Sequence, residues 1–119
     1  MPAILIEAQE LEISAELEQA IHDFCLEASC ISGSLIEKYI FARVLGGVIN
    51  EAMWAVTEGV ASAKDIDLAM KLGTNYPHGP IEWAHRIGLD RVQQLLEALN
   101  ETVSDNRFSS PPFGAISTN

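Results

Sequence analysis

The residues best suited to chemistry in this sequence are acidic side chains close to histidines. Glu82 and His85 have the spacing E-x-x-H, which places both side chains on one face of a helix, as in carboxylate-bridged metal pairs. Such a site also needs a second E-x-x-H and two more glutamates, and Glu18 and His22 are one residue too far apart to supply that motif. We therefore interpret Glu82 and His85 as ordinary polar residues of a chain corner.

Three other side chains have reactive groups, one histidine and two cysteines. His78 lies between Pro77 and Gly79, where an exposed polar residue is expected, and as a general base it would need an orienting group. Cys25 and Cys30 lie five residues apart in an apolar helical context, which favours buried thiols over a disulfide or a metal site. The sequence thus predicts no catalytic, cofactor-binding or metal-ligating residue.

The charge balance argues against a polyanionic partner. Acidic residues number 17 against 7 basic ones, the net charge is −10, and the basic residues do not cluster, so nucleic-acid binding is not expected. The first residues do not resemble a signal peptide, and no unbroken run of apolar residues is long enough for a membrane span. We expect a cytoplasmic protein without a membrane partner.

The pattern divides the chain into three parts. Residues 1–33 are predicted as a lead-in, extended or a short strand over residues 2–13, and a helix from Ser14 to about Ser29. Gly33 interrupts this helix, and the hinge would allow the N-terminal helix to be exchanged between protomers. Residues 34–103 form the helical domain, and residues 104–119 are predicted as an irregular tail.

From Ser34 to about Glu58 the sequence predicts one long helix, with no proline and few charges. Its apolar residues surround most of the helix instead of forming a single stripe. The helix would extend roughly 37 Å, about the diameter expected for a chain of this length. We therefore expect its surplus apolar surface to pack against a second copy of the chain. The predicted homodimer interface comprises Tyr39, Phe41, Val44, Gly46, Gly47, Val48 and Met53.

Two features at the middle of this helix need a structural explanation. Gly46 and Gly47 weaken a helix but allow another backbone to come close, so we interpret them as a helix-crossing point, with a local kink as the alternative. Arg43 is a lone cation in an apolar helix and must find a partner. We predict an ion pair or network of Arg43 with Glu51 and Asp67, with a phosphate or CoA contact as the alternative.

The second half of the domain is predicted to consist of short helices joined by a stiff corner. Ser62 caps a helix that stops at Gly73, a third helix runs from Pro80 to Gly88, and Asp90 with Gln93 caps the last one. The fold class is therefore all-α, a helical bundle built round one long central helix. The corner residues are Tyr76, Pro77, Gly79, Pro80 and Trp83.

Two stretches of this domain resemble a known family. "FARVLGGVINEAMWAVTEGVASAKDIDLAM" and "KLGTNYPHGPIEWAHRIGLDRV" resemble the C-terminal helical domain of 3-hydroxyacyl-CoA dehydrogenases, with its NEA, DID.AM..G, YP.GP.E and GLD motifs. The resemblance covers about residues 37–99. The tail "DNRFSSPPF" is similar to a segment that closes some members, and residues 13–29 resemble the last helix of the preceding nucleotide domain.

The resemblance implies the fold of the 6-phosphogluconate/3-hydroxyacyl-CoA dehydrogenase C-terminal domain. It implies a domain that dimerises through its long helix and, in complete enzymes, closes over the acyl group of a CoA thioester while hydride passes to NAD. The chain departs from this pattern in three ways. It has no G-x-G-x-x-G turn, the family's catalytic histidine and glutamate belong to a preceding domain, and Ala42 replaces an asparagine that assists the active site.

Two functional interpretations follow from the resemblance. In the first, the chain is an accessory dehydrogenase module, inactive alone, that binds an acyl-CoA or pairs with a separate Rossmann-domain subunit carrying NAD. In the second, it is a structural homodimer or interaction module that binds neither CoA esters nor NAD. Fold ancestry does not decide between them.

Overall fold

The computed structural model describes residues 13–28, 33–103 and 105–112. These residues form five α-helices and no strand, which confirms the predicted all-α class. The predicted extended segment, apart from Ile13, and Cys30 lie outside the described residues. The helices are α1 (Ala15–Glu27), α2 (Leu35–Thr57), α3 (Ala63–Thr74), α4 (Pro80–Ile87) and α5 (Leu89–Thr102).

Serine side chains begin the first three helices. Ser14, Ser34 and Ser62 each accept a hydrogen bond from the amide three residues further on, at 3.1, 3.2 and 3.1 Å. At Ser34 the contact is reciprocal, because the Glu37 carboxylate accepts from the Ser34 amide at 2.8 Å. The hydrogen bond from the Ser34 amide to the Glu37 carboxylate, followed by the effect of the Ser34 hydroxyl, holds the pKa of Glu37 below its usual value. Each cap satisfies amides that the first helical turn leaves without an internal acceptor.

The start of α5 corrects the prediction that Asp90 caps this helix. The helix already begins at Leu89, and the capping position belongs to Gly88, whose φ is 108°. Glycine adopts this backbone conformation without strain, so one residue both ends α4 and starts α5. Asp90 lies instead in the first turn, where its carboxylate is near the positive end of the helix.

The core lies between α1, α5 and the inner face of α2. The central helix packs against each of the four other helices, and its length of about 35 Å is close to the longest dimension of the molecule, 40 Å. This arrangement confirms the predicted bundle round one long helix. The largest fully buried side chains come from four helices: Leu17, Ile21, Phe24, Ile49, Met53, Ile81, Ile87, Val92, Leu95, Leu96 and Leu99.

Within the described residues, α2 is also the one helix whose length and mean hydropathy, 1.2, would allow it to cross a membrane. The sequence expectation considered only unbroken apolar runs, and α2 meets this other criterion because isolated polar residues lower its mean hydropathy little. Core helices meet the same criterion, and 39% of the most apolar stretch of α2 is buried inside the protein.

Candidate functional site

The corner between α3 and α4 is held together by the Asp67 carboxylate. Asp67 accepts hydrogen bonds from the amides of Ile81 at 2.8 Å and Glu82 at 3.1 Å, so a side chain of α3 caps the start of α4. A Cβ atom at Gly79 would overlap this carboxylate, which explains why the corner contains glycine there. Pro80 follows as the first residue of α4, as predicted, where its missing amide does no harm.

Glu82 organises the polar side of the same corner. Its carboxylate accepts from the Gly79 amide at 3.2 Å and lies 3.0 Å from the Lys71 ammonium and 3.6 Å from His78 Nδ1. The contact with Lys71, followed by the bond from Gly79, lowers the pKa of Glu82. Glu82 therefore stays ionised near neutral pH and links α3 to α4 across the corner.

The two histidines of the corner differ in their surroundings. His78 is half-buried beside Glu82, with its ring edge-on to Trp83 at a centroid distance of 5.0 Å. His85, the second residue of the E-x-x-H motif, is exposed. Among the described residues, no group of three or more His, Cys, Asp or Glu side chains could hold a metal ion. The geometry assigns His78 to the corner, where it contacts Glu82 and Trp83, and places His85 on the exposed side of α4.

Within the described part of the single chain, Arg43 does not form the predicted ion pair with Glu51 or Asp67. Arg43 Nη1 donates to the Tyr39 hydroxyl at 3.0 Å, and the guanidinium lies 5.7 Å from the centroid of the Phe108 ring. No salt bridge between described residues includes Arg43 or Glu51. Glu51 is two helical turns, about 12 Å, further along the axis, and Asp67 is engaged in capping α4.

The predicted dimer interface divides between two sides of α2. Tyr39 is 5% exposed and Met53 0%, so these side chains face the protomer's own core and not a partner. Gly46 also faces inward: a Cβ atom there would lie 3.1 Å from Leu95 Cδ2, so α5 packs closely against α2 at this glycine. The sequence did not show which of these residues face inward, because α2 is apolar on all sides and its composition does not separate the two faces. The part-exposed or exposed members are Phe41, Val44, Gly47 and Val48.

The outer side of α2 lies between two open grooves that share Val44. The first groove, ≈ 700 Å³, lies between α2, α3 and the segment 105–112, which we call the strap. The second, ≈ 420 Å³, lies between α2 and the corner, with Tyr76, Pro77 and Trp83 on its corner side. Tyr76 is an exposed residue of this second groove, beside Pro77 and Trp83 of the corner.

Two side chains of α2 fasten the strap, and the sequence analysis missed both. Asn50 Nδ2 donates to the carbonyl oxygens of Ser109 at 3.1 Å and Arg107 at 3.4 Å, and Trp54 Nε1 donates to Ser109 at 2.8 Å. Asn50 is 1% exposed, and Phe108 of the strap is buried against the bundle. A lone asparagine in an apolar helix was the available signal, because a buried amide needs hydrogen-bond partners.

The described residues thus define a class of protein: an all-helical domain wrapped round one central helix, closed by a strap and open on one apolar face. A sequence profile for the 3-hydroxyacyl-CoA dehydrogenase C-terminal domain matches residues 39–115, and the chain belongs to this family.

Three relatives illustrate the match. The chain is 46% identical over 66 residues to 3-hydroxyadipyl-CoA dehydrogenase of Escherichia coli (strain K12), covering 56% of this chain and 14% of the relative. It is 35% identical over 97 residues to 3-hydroxybutyryl-CoA dehydrogenase of Clostridioides difficile, covering 82% and 33%. It is 35% identical over 95 residues to the mitochondrial hydroxyacyl-coenzyme A dehydrogenase of Mus musculus, covering 78% and 30%. The chain therefore spans a third or less of the length of these relatives.

Proposed function

We propose that this chain is a self-associating module that forms a homodimer through the outer face of α2 and is not catalytic alone. The observation that carries the proposal is the exposure of large apolar side chains on that face. Ile40 is 45% exposed and Val44 59%, although they belong to the helix at the centre of the fold. Apolar patches of this kind on a small domain favour association with another surface.

The position of Ala42 supports the non-catalytic part of this proposal. The resemblance places an asparagine that assists the active site at this point of the long helix. Ala42 is 0% exposed and carries only a methyl group, so it can neither touch a substrate nor donate a hydrogen bond to one. We expect no NADH to form when the purified chain is incubated with 3-hydroxybutyryl-CoA and NAD.

A second candidate function is association with an acyl-CoA, favoured by the composition of the first groove. Its walls are mostly apolar, as an acyl chain requires, and Arg43 faces the groove with no carboxylate of the described residues bound to it. Arg107 also lines the groove, but its guanidinium is paired with Asp105 at 2.7 Å. In a complex of this kind NAD would come from a separate nucleotide-binding subunit. A cytoplasmic location and the absence of nucleic-acid and membrane partners stay predictions.

Sedimentation equilibrium with and without acetoacetyl-CoA tests these proposals together. We expect a mass near twice 13.0 kDa at micromolar concentration, in both conditions. A monomer at high micromolar concentration would contradict the homodimer. Calorimetric titration with acetoacetyl-CoA separates the two candidates, because a purely structural dimer releases no heat of binding.

A further inference from the structure

The strap lies along a single strip of α2. Four residues of that helix lie against it: Arg43, Gly47, Asn50 and Trp54. They are spaced four, three and four residues apart, which places all of them on one side of the helix. The strip is about 16 Å long, so side chains of one helix fasten the strap at several points along its length.

The middle of the strap is held by its phenylalanine. The Phe108 ring lies at Gly47, where an added Cβ atom would be 3.7 Å from Cε1, and the Arg43 guanidinium lies over the ring, 5.7 Å from its centroid. Arg43 Nη1 also donates to the Tyr39 hydroxyl at 3.0 Å, which fixes the direction of the guanidinium. A cation over an aromatic face is attracted by the π electrons of the ring. Arg43 therefore attaches the strap to α2, although no described carboxylate pairs with it.

The residues on either side of Phe108 are held by hydrogen bonds. Asn50 Nδ2 donates to the carbonyl oxygens of Arg107 at 3.4 Å and Ser109 at 3.1 Å. Trp54 Nε1 donates to the Ser109 carbonyl at 2.8 Å. The three strap residues are consecutive, so ordering any one of them lowers the entropic cost of ordering its neighbours. These contacts should therefore form and break together.

The closed strap also carries an unfavourable contribution. Asn50 is 1% exposed, and its Oδ1 atom has no hydrogen-bond partner among the described residues. A buried acceptor without a partner costs free energy, which offsets part of what the hydrogen bonds to the strap contribute. The Arg107 guanidinium pairs with Asp105 inside the strap, so this ion pair does not attach the strap to the helices. Few groups therefore hold the strap closed, and local opening requires much less free energy than unfolding of the domain.

We infer that the strap is a lid on the first groove that opens and closes as one unit, with Arg43 as its clamp. Arg107 and Phe108 line that groove, so an open strap removes one wall and widens the groove along α2. The lid therefore controls how large an apolar ligand the groove admits. All the contacts that support this inference lie within one chain, so it does not depend on the proposed homodimer.

Exchange of the Trp54 indole proton tests whether the strap moves as one unit. This proton is bonded to the Ser109 carbonyl and lies about 16 Å along the helix axis from Arg43. We expect Arg43→Gln to accelerate its exchange with solvent about two- to fivefold, because loss of the cation destabilises the whole closed strap. NMR spectroscopy in heavy water measures the rate. The control Arg86→Gln makes the same charge change at an exposed position of α4 and should leave the rate unchanged.

Two further variants test the coupling in both directions. Tyr39→Phe removes the hydroxyl that orients Arg43, about 22 Å along the helix axis from that indole. It should accelerate exchange of the indole proton about twofold, and it should add nothing in a double variant with Arg43→Gln. Asn50→Ala should shift the NMR signal of the Gly47 amide, because the Phe108 ring then spends less time beside it.

The outcomes separate a lid from a set of independent contacts. Faster indole exchange in Arg43→Gln, with exchange at the amide of the buried Leu96 in α5 unchanged, would support the inference. An indole exchange rate equal to that of the Arg86→Gln control would show that Phe108 and Ser109 are fastened independently, and would overturn it. Equal acceleration at the Leu96 amide would also contradict the inference, because the whole domain would then be opening.

Discussion

The two sides of α2 are built from similar residue types and are used differently. The inner side, with Ala42, Gly46 and Met53, is buried against the protomer's own helices. The outer side, with Val44 and Gly47, lies between two grooves and includes the most exposed apolar residue of this helix. The difference shows that an apolar helix surface does not by itself identify an interface. What distinguishes the two sides is whether the chain's own packing explains the residues there.

The largest expected difference is in the free energy of unfolding of two variants of α2, one with a shortened side chain on the inner side and one on the outer side. Met53→Ala removes a fully buried side chain and should lower the free energy of unfolding by about 2–5 kcal/mol. Val44→Ala removes an exposed one and should change it by less than about 0.5 kcal/mol when the protein is monomeric. Urea unfolding at sub-micromolar concentration measures both. A comparable loss from the two variants would show that the two faces are equally buried in solution.

A smaller loss of stability is expected when the hydrogen bonds between α2 and the strap are removed. Asn50→Ala leaves the carbonyl oxygens of Arg107 and Ser109 without the amide donor they contact, and should cost about 1–3 kcal/mol of stability. Because the strap loses these hydrogen bonds to α2, the exchange of its backbone amide protons should also accelerate. Hydrogen exchange of the strap amides measures this. Thr57→Ala, which removes a hydroxyl bonded only within α2, is the control and should leave the strap protected.

The sequence was sufficient for the architecture because its signals were local. Ser14 and Ser62 as caps, and Pro80 as the first residue of a helix, depend on bonds within one turn and are confirmed. The Asp90 cap was wrong because Gly88 at positive φ serves two helices at once. Local signals of this kind do not show which side of a helix is buried when apolar residues surround the whole helix.

Residues whose partners lie far along the chain could not be assigned from spacing. Asp67 was expected to pair with Arg43, but it caps α4 across a gap of 14 residues, a contact that depends on how the corner folds. Asn50 binds the strap 59 residues away. In both cases the residue type indicated a polar group in need of a partner, and only the tertiary structure identified which one.

The two central glycines give the smallest expected effect on stability, and they test most directly how the inner and outer sides of α2 differ. Alanine in the middle of a helix is favoured over glycine by about 1 kcal/mol. At Gly46 the new methyl group would press on Leu95 Cδ2, so this gain should be offset or exceeded by the cost of overpacking. At Gly47 the methyl group meets only an ordinary contact, so Gly47→Ala should stabilise the monomer by up to about 1 kcal/mol and at the same time weaken the dimer. Denaturation of the dilute monomer and the dimer dissociation constant are measured on the same two variants. Equal shifts in stability, or a Gly47→Ala dimer as tight as the wild type, would show that Gly47 faces no second backbone and that the difference between the two glycines has no functional meaning.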